Sequence, residues 1–224
     1  MSRLPLYVSL GALMVVAIIE LSFISATVGW FHSTASNTFT FEYRGSREEL
    51  KGEPKNFITD QGHTSNGAAG TAFVLIGLGG CIILWLRSKP NPNKFSLGLY
   101  RAWIVTNVLS LLLTLSALIY VFVVTDQYSG QTIDPRLAAS LQGRHYNIGS
   151  WTPQSWFPAI LQLDLVDDDV RSDIASHVRI MRGWQYNLIP FFLVHLGETG
   201  LALWDARKRW AAPLQRGNYQ KASV

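Results

Sequence analysis

Charged residues avoid four stretches of this chain. Residues 4–28 are long and apolar, broken by Glu20 alone. Residues 68–86 are apolar and rich in small side chains. Residues 102–124 are apolar with Thr106, Asn107, Ser110, Thr114 and Ser116 spaced along them. Residues 183–204, GWQYNLIPFFLVHLGETGLALW, carry only His195 and Glu198. A bilayer core takes about 20 residues of helix, so all four stretches are long enough to span. Aromatic rings prefer the headgroup level. Trp184 and Tyr186 at one end of the fourth stretch and Trp204 at the other fit that preference, as do Trp30, Trp85 and Trp103. The pattern predicts an all-α membrane protein: one membrane domain over residues 1–224, a four-helix transmembrane bundle with a folded extracytoplasmic cap.

The segments between the spans carry patterns of their own. In loop 29–67, Phe39, Phe41 and Tyr43 alternate with Thr38, Thr40 and Glu42, the period of a strand with an aromatic face. Arg44-Gly45-Ser46 can turn the chain. Ser46, with Glu49 three residues later, predicts a capped helical turn as far as Leu50. Gln61 to Gly67 reads as a Gly-, Ser- and Asn-rich lead-in. Loop 87–101 holds Pro90, Asn91, Pro92 and Asn93, a tight turn. In loop 125–182, Thr152 is placed to cap a helix with Pro153 at its first position. Trp156, Ala159, Ile160 and Leu163 would form its apolar face. A second amphipathic helix starts near Asp167, Asp168 and Asp169, with Val170, Ile174, Val178 and Met181 at helical spacing.

The net charge of +4 follows the membrane rather than a nucleic acid. Arg3, loop 87–101 and tail 205–224 together hold ten basic residues and one acid, whereas the other two loops hold nine basic residues and twelve acids. The positive-inside rule then places both termini and loop 87–101 in the cytosol, and loops 29–67 and 125–182 outside. Four spans give that parity. Cys81 is the single cysteine, so the outer loops are not stapled by a disulfide within the chain.

The run Tyr146-Asn147-Ile148-Gly149-Ser150-Trp151-Thr152-Pro153-Gln154-Ser155-Trp156 resembles a motif of four-span integral membrane proteins of filamentous fungi. The resemblance covers this motif, the span layout and the loop lengths. It implies a fold and no activity. Claudin-like barrier proteins also place a strand-bearing first loop outside, but this chain lacks their pair of loop cysteines, so their role is not carried over.

Ionisable residues within a span are candidates for function. His195 and Glu198 lie three apart, on one helical face. From a rise of about 1.5 Å per residue, Glu198 lies about 9 Å from Trp204, level with Asn107 and with the Gly77 to Cys81 cluster. Glu20 is about 15 Å away in depth, too far to share a substrate with Glu198. Each candidate has a plain alternative. Glu198 is expected to bond Asn107 or a neighbouring hydroxyl, and Glu20 to bond Ser116 or Tyr120. His32, His63, His145 and His177 lie in or near the outer loops, so no second span offers His195 a facing histidine for haem or metal. Asp167 to Asp169 lack the spacing of a calcium loop. Gly77 to Gly80 follow no strand, and read as close helix packing rather than a phosphate cradle. No cofactor or metal site is expected.

Three function classes fit. The first is a structural or accessory protein, packed against lipid and against a protein partner or a second copy of itself. The second is a small membrane enzyme acting on an apolar small molecule, with Glu198, His195 or Glu20 as acid or base. The third is a proton-coupled transporter, for which four spans without an internal repeat are a poor frame. Nucleic acid is not an expected partner.

Overall fold

A computed structural model describes residues 4–88 and 94–221, with side chains through residue 208. The fold is mostly helical. The helices are α1 (Leu4–Trp30), α2 (Asp60–Thr71), α3 (Gly79–Leu86), α4 (Lys94–Gln127), α5 (Pro135–Leu141), α6 (Pro153–Ile160) and α7 (Asp168–Lys221). Two π-helical segments extend the ladder: Phe31–Ala35 continues α1, and Ala72–Leu78 joins α2 to α3. β1 (Thr38–Tyr43) and β2 (Ser46–Lys51) form an antiparallel hairpin.

Three continuous helical stretches are long and apolar enough to cross a membrane: Leu4–Ala35, Asp60–Leu86 and Lys94–Gln127. Only about a third of each apolar window is buried inside the protein. Val8, Val15, Val74, Ile82, Leu109 and Leu112 all point outward. Rows of exposed large aliphatic side chains on long helices suit lipid and not water.

The chain divides into two compact units. The first gathers α1 through Ile18, Ala68–Leu115, and α7 from Ile189 onward. Its packing bears on the small residues of the second stretch. A side chain at Gly80 would come within 2.8 Å of the Trp103 ring, and one at Gly77 would run into Met14. Glycine is therefore required at both for the neighbouring helix to pack closely. Gly70 has open space instead, so the packing reading holds for part of the cluster. The Trp103 indole N–H donates to the Ile76 carbonyl at 3.1 Å, in the π-helical segment where the usual ladder is loosened.

The second unit comprises Ile19–Gly67 and Ser116–Leu188. Arg44 and Gly45 both have positive φ (53° and 81°), which makes the two-residue hairpin turn whose twist suits paired strands. That turn overturns the helical turn expected from Ser46: residues 46–51 pair with β1 in register, Phe39 opposite Leu50 and Tyr43 opposite Ser46. Phe39, Phe41 and Leu50 are buried on one face. Asp164 and Val166 extend the pairing, since the Glu42 N–H donates to the Asp164 carbonyl and the Val166 N–H to the Thr40 carbonyl.

Thr152 caps α6 as expected, and Ser155 completes a reciprocal capping box. The cap aims Trp156, Phe157 and Ile160 into a core shared with Trp30, Trp151 and the hairpin. Trp151 and Trp156 meet edge to face at 4.9 Å, as do Trp30 and Phe157 at 4.7 Å. The Trp156 indole N–H donates to the Gly52 carbonyl at 2.7 Å. Arg171 closes the far end of α6, its guanidinium donating to the carbonyls of Leu161 and Leu163, each at 2.8 Å. α5 was not foreseen, although Asp134 as cap and Pro135 at the first position are its signal.

Three other boundaries differ from the sequence reading. Residues 61–67 are helix rather than a lead-in, because α2 starts at Asp60. α4 begins at Lys94, inside the expected loop 87–101, while the turn expected at residues 90–93 lies outside the described residues. Finally, the second amphipathic helix and the fourth apolar stretch are one helix, α7. Gly183 does not break it: a side chain there would sit 3.0 Å from the Phe23 ring, so glycine makes room for that ring.

Candidate functional site

Three predicted residues fall into two places. In the first unit, α4 and α7 present polar faces to one another. Asn107, Ser110 and Thr114 recur at helical spacing on α4, and His195, Glu198 and Thr199 do so on α7. All six are buried. The bond expected for Glu198 is present: the Asn107 side-chain N–H donates to Glu198 Oε2 at 2.6 Å. Thr199 donates its hydroxyl to Asn107 Oδ1, also at 2.6 Å, so Asn107 is held at both ends.

Two turns of α4 further on, Thr114 meets His195 Nδ1 at 3.0 Å. Thr114 has one hydroxyl hydrogen, and that points at the Ser110 carbonyl at 3.0 Å. With that hydrogen on the Ser110 carbonyl, Thr114 is placed to accept from Nδ1–H, while Nε2 has no hydrogen-bond partner. Phe191 lies alongside the ring, the centroids 6.0 Å apart and the planes 22° from parallel.

Three atoms of this seam have no hydrogen-bond partner: Glu198 Oε1, His195 Nε2 and the Ser110 hydroxyl. Ser110 stands between Asn107 and Thr114 along α4, and so between the levels of Glu198 and His195. Those two lie about 4.5 Å apart along the axis of α7. Unpaired buried polar atoms are costly, about 1–3 kcal/mol each. Three in one seam supply a carboxyl oxygen, a hydroxyl and an imidazole nitrogen, groups of the kind that bind a water or exchange a proton.

Glu20 belongs to the second unit and takes a different partner from those expected. The Asn187 side-chain N–H donates to Glu20 Oε2 at 2.8 Å. Neither Asn187 nor Thr199 was singled out from sequence. The spacing of Asn187 from Gln185 and Trp184 hid its face, and Thr199 was masked by the stronger signal of Glu198 beside it. No group of three or more His, Cys, Asp or Glu side chains able to hold a metal ion forms among the described residues. Asp167 opens α7 as a helix cap, its carboxylate accepting from the Asp169 N–H at 2.8 Å.

No family model, no curated protein and no solved structure matches this chain.

Proposed function

We propose that this is a four-span integral membrane protein with a structural or accessory role, both termini cytosolic, with loops 29–67 and 125–182 forming a folded cap outside. One observation carries the fourth span. Within residues 183–204 of α7, the most polar side chains turn inward: Gln185, His195, Glu198 and Thr199 are buried and Asn187 is half-buried. The outward side carries Ile189, Leu193, Leu196 and Leu203, with Tyr186 and Trp204 toward its two ends. Lipid meets the outward side only, so α7 is apolar where that matters. Lys208 stacks its ammonium over the Trp204 ring at 3.8 Å, a basic and aromatic anchor of the kind found at a cytosolic boundary. The span layout and the 146–156 motif, in their likeness to fungal four-span proteins, support the same reading. The accessory role rests on how the side chains are used. The large aromatic groups of the second unit are spent on its own core, which is how a rigid platform for a partner is built.

A second reading is a membrane enzyme that works on an apolar small molecule through Glu198 and His195. The three unpartnered atoms of the α4–α7 seam favour it. Purification in mild detergent, with analysis of bound proteins and metabolites, separates the two. A stoichiometric protein partner supports the accessory role. A co-purifying small molecule that is lost from Glu198→Gln supports the enzyme.

A further inference from the structure

Within the second unit, residues from the end of α4, the start of α6 and α7 line an open cavity of about 310 Å³. That is the lower end of the range of about 300–1,000 Å³ typical of small-molecule sites. Charges and aromatic rings share its wall: Asp126 and Arg182, Phe122 and Tyr186. Asp126, Arg182 and Tyr186 are exposed, so their side chains are open to a ligand. Gln154 and Thr125 lie in the wall too, but the Gln154 carboxamide and the Thr125 hydroxyl are covered. Recognition therefore falls on the exposed groups.

The two charges are unspent. Neither the Asp126 carboxylate nor the Arg182 guanidinium is ion-paired, to the other or to any further charge among the described residues. A bare anion and a bare cation on one cavity match a ligand that carries both signs.

Depth selects the kind of ligand. α4 is long and apolar enough to cross a membrane. Asp126 stands two residues beyond the apolar run 102–124, and Arg182 one residue before the run 183–204. Both charges thus lie about 1.5–3 Å past the apolar stretches. Phe122 of α4 and Tyr186 of α7 meet edge to face, their centroids 5.8 Å apart. Such rings favour the headgroup level of a bilayer.

We propose that this cavity binds the headgroup of a zwitterionic phospholipid, its phosphate on Arg182 and its ammonium on Asp126. The planar fork of a guanidinium matches two phosphate oxygens. An anionic headgroup without a cation would satisfy Arg182 and set a second negative charge against Asp126. A lipid without a phosphate would leave Arg182 bare. The placement at headgroup level rests on the four-span reading of α4 and α7, whereas binding in detergent is independent of span count and orientation.

The full chain, purified in an uncharged maltoside detergent, is titrated with dioleoyl phosphatidylcholine, dioleoyl phosphatidylglycerol or dioleoylglycerol, and bound lipid is counted by native mass spectrometry. One phosphatidylcholine per chain is expected to bind about tenfold more tightly than either of the others, the factor that one charge-assisted bond gives. Arg182→Gln should weaken phosphatidylcholine binding by about the same factor. Asp126→Lys should weaken phosphatidylcholine and strengthen phosphatidylglycerol, reversing their order, which a merely structural role would not do. Both side chains are exposed and unpaired, so the variants keep the fold. Should Arg182→Gln fail to fold, the order of the two phospholipids in Asp126→Lys decides alone. Equal binding of the three lipids, phosphatidylcholine binding unmoved by Arg182→Gln, or an unreversed order in Asp126→Lys would each overturn the proposal. Soluble phosphocholine that competes as well as the lipid at equal concentration would also overturn it, and would assign the cavity to a water-borne zwitterion.

Discussion

Asn107 and Glu198 are joined across α4 and α7 by a bond of 2.6 Å, and the same Asn107 is anchored from behind by Thr199. One carboxamide thus serves two α7 residues, which fixes the register of the helices at this level. Replacing Asn107 by leucine keeps the volume and removes both bonds. Glu198 Oε2 and the Thr199 hydroxyl are then left buried without partners. A loss of about 1–3 kcal/mol is expected for each orphaned group in the soluble-protein range, nearer about 0.6 for each contact if the unfolded helices find other partners in lipid. Thr199→Val removes one bond alone and should cost less. Melting in detergent checks the order: a Thr199→Val protein less stable than Asn107→Leu would break the argument.

Trp156 is expected to be the largest single contributor to the second unit. Its ring is fully buried, packs against Trp151 and Tyr146, and ties Gly52 through its indole N–H. Trp156→Ala should lower stability by about 3–5 kcal/mol. Trp156→Phe keeps much of the packing and loses the bond to Gly52, so it should fall between. A melting temperature unmoved by Trp156→Ala would show that this core does not hold the unit together.

Much of this fold was legible because its signals are local. The alternation around Phe39 and Phe41, the Thr152-Pro153 helix start and the long apolar runs each follow from a few neighbouring residues. Glu198 and Asn107 were also paired in advance, by counting the rise of two helices from their aromatic ends. Some misses arose because a partner far away in sequence decided the outcome, and others, such as α5 with its Asp134-Pro135 start, because a local signal was passed over. Ser46 and Glu49 have the chemistry of a helix cap, but pairing with β1 won. The amphipathic helix ending near Met181 and the apolar stretch from Gly183 are read as separate elements, but Ile174, Val178, Met181, Leu188 and Phe191 continue one buried face through Gly183. Following that period through the glycine would have revealed a single α7. Glu20 was assigned to the wrong neighbour, since depth alone does not say which helix faces it.

Gly80 offers a test of close packing in the first unit. A Cβ at this position would meet the Trp103 ring at 2.8 Å, and Trp103 is held in place by its bond to Ile76. Gly80→Ala must push the ring and strain that bond, at about 1–3 kcal/mol. Gly70→Ala meets nothing within 4 Å and should instead be neutral or mildly stabilising, since alanine suits a helix better by about 1 kcal/mol. Equal melting temperatures for the two variants would remove the case for glycine-dependent packing.

The proposed topology makes a prediction independent of any activity. Ser129 and Ser88 are both exposed, on opposite sides of the membrane in the four-span reading. In a Cys81→Ala background, Ser129→Cys should react with an impermeant thiol reagent added to intact cells, and Ser88→Cys only after lysis. Labelling of Ser88→Cys from outside would reverse the orientation. Labelling of both from one side would remove the third span.

The last prediction concerns what Glu198 does. Glutamine has the same shape as glutamate, so Glu198→Gln keeps an acceptor for the Asn107 N–H. The substituted amide places an N–H₂ where Oε1 has no partner, so nothing existing is lost there. Folding should therefore survive under either proposed reading, with stability changed by about the 0.6 kcal/mol of one polar contact between membrane helices. A glutamine side chain does not transfer a proton, however. In the accessory reading, Glu198→Gln retains its protein partner and complements a deletion. In the enzyme reading, a folded Glu198→Gln loses function, and His195→Gln loses it too, because a carboxamide does not take up and release a proton as an imidazole does. A third outcome would contradict the geometry: if Glu198→Gln failed to fold while Glu198→Asp folded, the carboxylate would have to be charged and paired with a cation. No such cation lies within ion-pair distance of Glu198 among the described residues, so that result would place Glu198 somewhere other than beside Asn107.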